Sequence, residues 1–149
     1  TPLSPDPRRW AMFSILLVGA FLPPLDFFIV NVALPSIQGE LGTSSSAEQL
    51  VISSYAACYA VTLITGGRLG DLFGRGRMFF LGLTGFAAAS LLCGIAWSPW
   101  TLIIGRALQG VTAAIMAPQA LASIQAIFPE TEKSLALSLY GAVFGLASV

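Results

Sequence analysis

Four long apolar runs constrain this chain more than any other feature. Residues 10–35, 48–67, 78–97 and 101–128 each supply the roughly 20 mostly apolar residues that a helix needs to cross a hydrocarbon core. A fifth run starts near Leu135. The runs are long and continuous rather than short and alternating, which favours helices over barrel strands. The predicted fold class is therefore an all-α integral membrane bundle. An N-terminal segment 1–9 precedes the first span, an outer loop 36–47 follows it, and a charged loop 68–77 separates the second and third spans. An outer turn 98–100 and a loop 129–134 complete the order, with 135–149 as the start of a fifth span.

Composition agrees. Of 149 residues, 56% are hydrophobic and 9% charged, against about 25% charged in soluble domains. The partner implied is the lipid bilayer. A net charge of zero gives no electrostatic case for nucleic acid. Cys58 and Cys93 fall inside apolar runs and suit helix packing better than a disulfide or metal pair. There is no histidine, hence no Ser–His or Cys–His pair, and no pair of intramembrane aspartates. An intramembrane enzyme is not expected, nor is a cofactor. The chain begins without Met and stops inside an apolar run, so we expect a piece of a longer protein.

Orientation follows the Lys and Arg residues. Arg8 and Arg9 precede the first span, and Arg68, Arg75 and Arg77 lie between the second and third. Lys133 follows the fourth, whereas 36–47 and 98–100 have neither residue type. The N-terminus and 68–77 are thus expected on the cytoplasmic side. Glu130 and Glu132 flank Lys133, but acidic residues weigh little in this rule. Trp10, Trp97 and Trp100 stand where interface anchors stand.

Two ionised side chains lie inside spans, Asp26 in the first and Arg106 in the fourth. Each costs at least about 2.5–3.5 kcal/mol at a helix centre, and such residues usually face a cavity and a partner. By helical rise, Asp26 is about 14 Å and Arg106 about 8 Å from the outer ends of their spans. An Arg side chain bridges that difference, so the two are expected to face one cavity and to be coupled, directly or through water. The carboxylate is either a proton site, tuned by desolvation and the nearby Arg, or half of a static pair that fixes packing. Asn31 and Gln109 are the next polar candidates, as interhelical hydrogen bonders or substrate contacts. Pro23, Pro24 and Pro118 should kink their helices. Gly82, Gly85, Gly105, Gly110, Gly141 and Gly145 offer close-approach faces.

Three stretches carry a family resemblance. Gly67-Arg-Leu-Gly-Asp71-Leu-Phe-Gly74-Arg75-Gly-Arg77 resembles the loop signature of the major facilitator superfamily. Leu25-Asp26-Phe-Phe-Ile-Val-Asn31-Val-Ala-Leu-Pro35 resembles the first-helix signature of its fourteen-helix drug–proton antiporters, and Arg106-Ala-Leu-Gln109-Gly110 their fourth-helix motif. The fifth-helix motif would begin near Gly141. The loop departs from the pattern at Leu72 and Gly76, where the family often has basic residues.

The resemblance implies the N-terminal part of a major-facilitator helical bundle in the plasma membrane, the inner membrane of a bacterium. It implies a secondary active transporter that exports drugs or other amphipathic small molecules by alternating access, driven by a proton gradient. Asp26 would carry the proton or sense a cationic substrate, and Arg106 would tune it. Residues 67–77 would gate. Asp71 would cap the next helix and steer the C-terminal helices beyond this chain. Arg75 would reach Glu130 or, second, Glu132. Phe21, Phe27 and Phe28 would meet flat substrates or lipid. A dedicated metabolite exporter, a proton symporter and a non-transporting receptor or assembly subunit are the alternatives on the same fold.

Overall fold

The computed structural model describes residues 6–149; residues 1–5 of the expected N-terminal segment lie outside the described residues. The described residues form five helices: α1 (Arg9–Leu41), α2 (Ser45–Phe73), α3 (Arg75–Gly94), α4 (Pro99–Ile127) and α5 (Glu130–Ala147). The first four are long and apolar enough to cross a membrane. They overrun the expected spans. Helix α1 has 33 residues, or about 50 Å at the α-helical rise, well beyond the hydrocarbon thickness. It continues through Pro23, Pro24 and Pro35 without a break in assignment.

The ends of these helices follow from local chemistry. Ser44 and Ser98 cap α2 and α4, each hydroxyl accepting the amide three residues on, at 3.3 and 3.2 Å. Pro99 opens α4, where its missing N–H is not needed. Gly42 ends α1 with φ +60, a left-handed conformation natural to glycine.

The charged segment 68–77 is not the loop expected. Helix α2 continues to Phe73, α3 starts at Arg75, and only Gly74 stands between them, at φ +98. Packing explains the difference. Gly66 and Gly70 lie against α4 so closely that an added Cβ would fall 2.3 Å from the Ala114 carbonyl oxygen and 1.7 Å from Gln119 Oε1. Gln119 Nε2 donates to the Gly66 carbonyl at 2.7 Å. These contacts hold the last turns of α2 helical despite the low helix propensity of glycine. Asp71 therefore sits inside α2 and does not cap α3, whose N-terminus has no side-chain cap. Glu130 likewise is the first residue of α5, not part of a loop.

Helix α4 is the centre of the bundle, packed chiefly on α2 and α3, while α5 docks mainly on α1. One apolar cluster joins Phe13, Leu16, Phe79, Met116, Ile124 and Phe128 toward the Gly74 end. A smaller one, Tyr55, Phe86 and Ala113, lies under the polar site. Gly82, Gly85, Gly105 and Gly110 are tight contacts, as expected, but Gly141 and Gly145 meet nothing among the described residues. Outward faces carry large apolar side chains, aliphatic and aromatic, with Val32, Val61 and Ile64 more than three-quarters exposed.

Candidate transport site

Helix α2 approaches α4 at Gly110, where a Cβ would fall 2.4 Å from the Tyr55 carbonyl oxygen. That closeness lets Arg106, one turn earlier on α4, reach backbone on α2. Its Nε donates to the Val51 carbonyl at 3.3 Å, and its guanidinium carbon lies 4.5 Å from the Tyr55 ring centroid, within cation–π range. Nη1 donates to Asp26 Oδ2 at 2.5 Å and to Gln109 Oε1 at 2.9 Å. Gln109 Nε2 completes the ring of contacts, donating to Asp26 Oδ1 at 3.2 Å and to Ser90 Oγ at 2.9 Å. Cys93 Sγ lies 3.6 Å from Gln109 Oε1.

Asp26 and Arg106 are thus directly paired, with Gln109 accepting from one and donating to the other. The pair is asymmetric: the Arg106 side chain is 1% exposed and that of Asp26 22%. The cation is locked from several sides and the anion keeps an open edge. Removing Asp26 leaves the buried Arg106 cation without its carboxylate, typically a loss of about 3–5 kcal/mol.

Asn31 does not join this cluster. Its Nδ2 donates to the Phe27 carbonyl on its own helix at 2.7 Å, and it is exposed. Ser90, Tyr55, Cys93 and the Val51 carbonyl are members that sequence reasoning missed. The serine and tyrosine sit in apolar runs with nothing local to single them out. No group of acidic, cysteine or histidine residues able to hold a metal occurs among the described residues.

At the Gly74 end, Arg75 does not reach Glu130. Its Nη1 donates to the Ala122 carbonyl at 3.3 Å and its Nη2 lies 3.7 Å from Asp71 Oδ1. The carbonyl-rich C-terminal part of α4 attracts the guanidinium. Glu130 turns instead to Lys133, one turn along α5, at 2.5 Å. Glu132, the second choice, pairs with Arg9 through Nε and Nη2 at 2.8 and 2.9 Å. Arg77 is exposed, and a Cβ added at Gly67 would meet Pro118 only at ordinary contact distance, 3.8 Å.

Four helices long and apolar enough to cross a membrane, two of them joined by a buried ion pair, define a multi-pass membrane protein. The chain belongs to the Major Facilitator Superfamily, which matches residues 16–149. It is 49% identical over 142 residues to the puromycin resistance protein pur8 of Streptomyces alboniger, covering 95% of this chain and 28% of that protein. It is 42% identical over 151 residues to the probable actinorhodin transporter of Streptomyces coelicolor, covering 100% and 26%. With the tetracenomycin C resistance and export protein of Streptomyces glaucescens, identity is 35% over 141 residues, covering 95% and 26%. The chain spans about a quarter of the length of these curated relatives.

Proposed function

We propose that the protein to which this chain belongs exports drugs or other amphipathic small molecules in exchange for protons, by alternating access. The observation that carries this is the Asp26–Arg106 pair, with its cation sealed and its carboxylate open at one edge. The names of the similar proteins, which include resistance and export, support the choice of cargo and direction. Asp26 takes the role of proton carrier. Arg106 and Gln109 hold it and report its charge state to α4. Gly67, Asp71, Gly74, Arg75 and Arg77, at the α2–α3 corner, take the role of gate, with Arg75 working through α4 and Asp71. The Lys and Arg distribution supports a cytoplasmic N-terminus in the inner membrane.

The test uses the full-length transporter in inside-out vesicles. Drug-induced proton release under a pH gradient is compared between wild type and Asp26→Asn at matched protein levels. Release in the wild type that vanishes in the variant supports the reading. Equal release in both overturns the role of Asp26. Silence of both to a broad drug panel moves a dedicated metabolite exporter to first place.

A further inference from the structure

The side-chain amide of Gln109 has one orientation open to it beside the ion pair. Arg106 Nη1 can only donate, so the Gln109 atom that faces it at 2.9 Å is Oε1. Nε2 then points the other way. Its two hydrogens go to Asp26 Oδ1 at 3.2 Å and to Ser90 Oγ on α3 at 2.9 Å. Gln109 is fully buried, so neither hydrogen can turn to water.

We propose that Ser90 is a positioning residue for proton exchange: it anchors the Gln109 amide in the orientation that keeps Asp26 ionised. The inference rests on the exchange reading. It adds a residue of α3 to that reading, and a reason why the site tells a carboxylate from a carboxylic acid.

The contacts suit the carboxylate alone. Asp26 Oδ2 faces Arg106 Nη1 and Oδ1 faces Gln109 Nε2, so a proton on either oxygen would meet a donor. At Oδ2 nothing can give way, because a guanidinium has no acceptor. At Oδ1 a half-turn of the Gln109 amide would bring Oε1 round to accept from the acid O–H. The same half-turn takes the acceptor away from Arg106 and sets donor against donor there. One amide therefore either holds Arg106 or accommodates a protonated Asp26.

Ser90 touches this amide in both orientations. Its hydroxyl accepts from Nε2 in the structure and could donate to Oε1 after the half-turn, since a hydroxyl does both. The two orientations do not depend on it equally. With Asp26 ionised, removing the hydroxyl leaves a buried N–H without an acceptor. After the half-turn Oε1 still holds the acid proton, and an under-satisfied carbonyl is tolerated better than an orphan N–H. The hydroxyl thus favours the ionised site. The charged or titratable side chains around the amide and the carboxylate are Arg106 on α4, Tyr55 on α2 and Cys93 on α3. Cys93 lies against Oε1 at 3.6 Å as a weak donor, and it cannot replace the acceptor that Ser90 gives to Nε2.

The experiment records infrared difference spectra of the purified full-length transporter in nanodiscs across a pH series. The carboxylic-acid C=O band that is missing from Asp26→Asn reports protonated Asp26. In Ser90→Ala this band should appear at a pH about half a unit to one unit higher than in wild type, the worth of one neutral hydrogen bond. Ser90→Thr, which keeps the hydroxyl, should restore the wild-type profile. Ser90→Cys, with a weak acceptor of similar size, should shift it as Ala does, and serves should Ser90→Ala fail to fold. An unmoved band in well-folded Ala and Cys variants overturns the inference, and so does an equal shift in Thr, which would make the effect one of packing. A band absent from wild type at every pH overturns both the inference and the proton-carrier role of Asp26. The exchange reading is scored separately, by drug-induced proton release: release that depends on Asp26, with an infrared profile indifferent to Ser90, removes the role of Ser90 alone.

Discussion

Arg9 at the start of α1 grips Glu132 near the start of α5 through two parallel bonds, 123 residues apart in sequence. Beneath this clamp Trp10, Phe13 and Phe128 form a cluster of edge-on rings, with centroids 4.9–5.7 Å apart. Helix α5 docks mainly on α1, so the clamp and the rings together fix where α5 starts.

The clamp has a pH signature. The hydrogen bond from Arg9 holds the Glu132 carboxyl below its ordinary value of 4.5. A folded-state value below the unfolded one stabilises fully above the ordinary pKa and is lost as pH falls through the folded value. Wild type should therefore melt above Glu132→Gln at pH 7, and the gap should close in the acid range below 4.5. Thermal melting of the full-length protein at both pH values checks this. A gap that persists undiminished at acid pH would mean that Glu132 acts by packing alone.

Gly70 and Gln119 should be coupled. Gly70→Ala puts a Cβ into the space of Gln119 Oε1 and should destabilise by about 1–3 kcal/mol, the usual range for overpacking. Gln119→Ala alone also destabilises, because the Gly66 carbonyl loses its side-chain donor. The double variant should recover part of the loss, a coupling of about 0.5–3 kcal/mol in a denaturation cycle. Strict additivity would show that the two residues do not share the contact.

At the ion pair, folding and exchange should separate. Asp26→Leu alone leaves Arg106 without its partner and should lower stability by about 3 kcal/mol. Adding Arg106→Met should restore stability, since a buried pair exchanged for apolar side chains is often neutral or better. It should not restore drug-induced proton release. Recovery of release in the stable double variant would refute a role for the pair in coupling.

Gly74 carries the whole turn between α2 and α3. Its φ of +98 is one that side-chain-bearing residues rarely adopt, so Gly74→Ala should cost about 1–3 kcal/mol and slow transport. Gly76→Ala, two residues on and inside α3 with open space at its Cβ position, should be close to neutral in the same melting assay. Equal effects at the two positions would refute the turn as the reason for Gly74.

Much of this was legible in one dimension. The four apolar runs marked the helices, because a span must satisfy its backbone within itself and fill the hydrocarbon thickness with apolar side chains. Asp26 and Arg106 were conspicuous for being charged there, and helical rise alone placed them at compatible depths. Read locally, the corner at 68–77 is a loop, because its glycines and charges weaken a helix; in the fold it is helical on both sides of Gly74. The packing of Gly66 and Gly70 on α4 outweighs that weakness, and no local pattern reports it. The family resemblance pairs Arg75 with an acid near the inner end of the fourth helix, but in the fold the Ala122 carbonyl takes it, and Glu130 has Lys133 one turn away.

Composition and period along the chain carry the membrane class, the order of the helices among the described residues and the two charges set within apolar runs. Tertiary structure alone decided that Gln109 links both charges, that Tyr55 stands under the guanidinium, and that Arg9 closes on Glu132. Those relations depend on which helix faces meet, and helix α4, packed close through its glycines, brings most of those faces together.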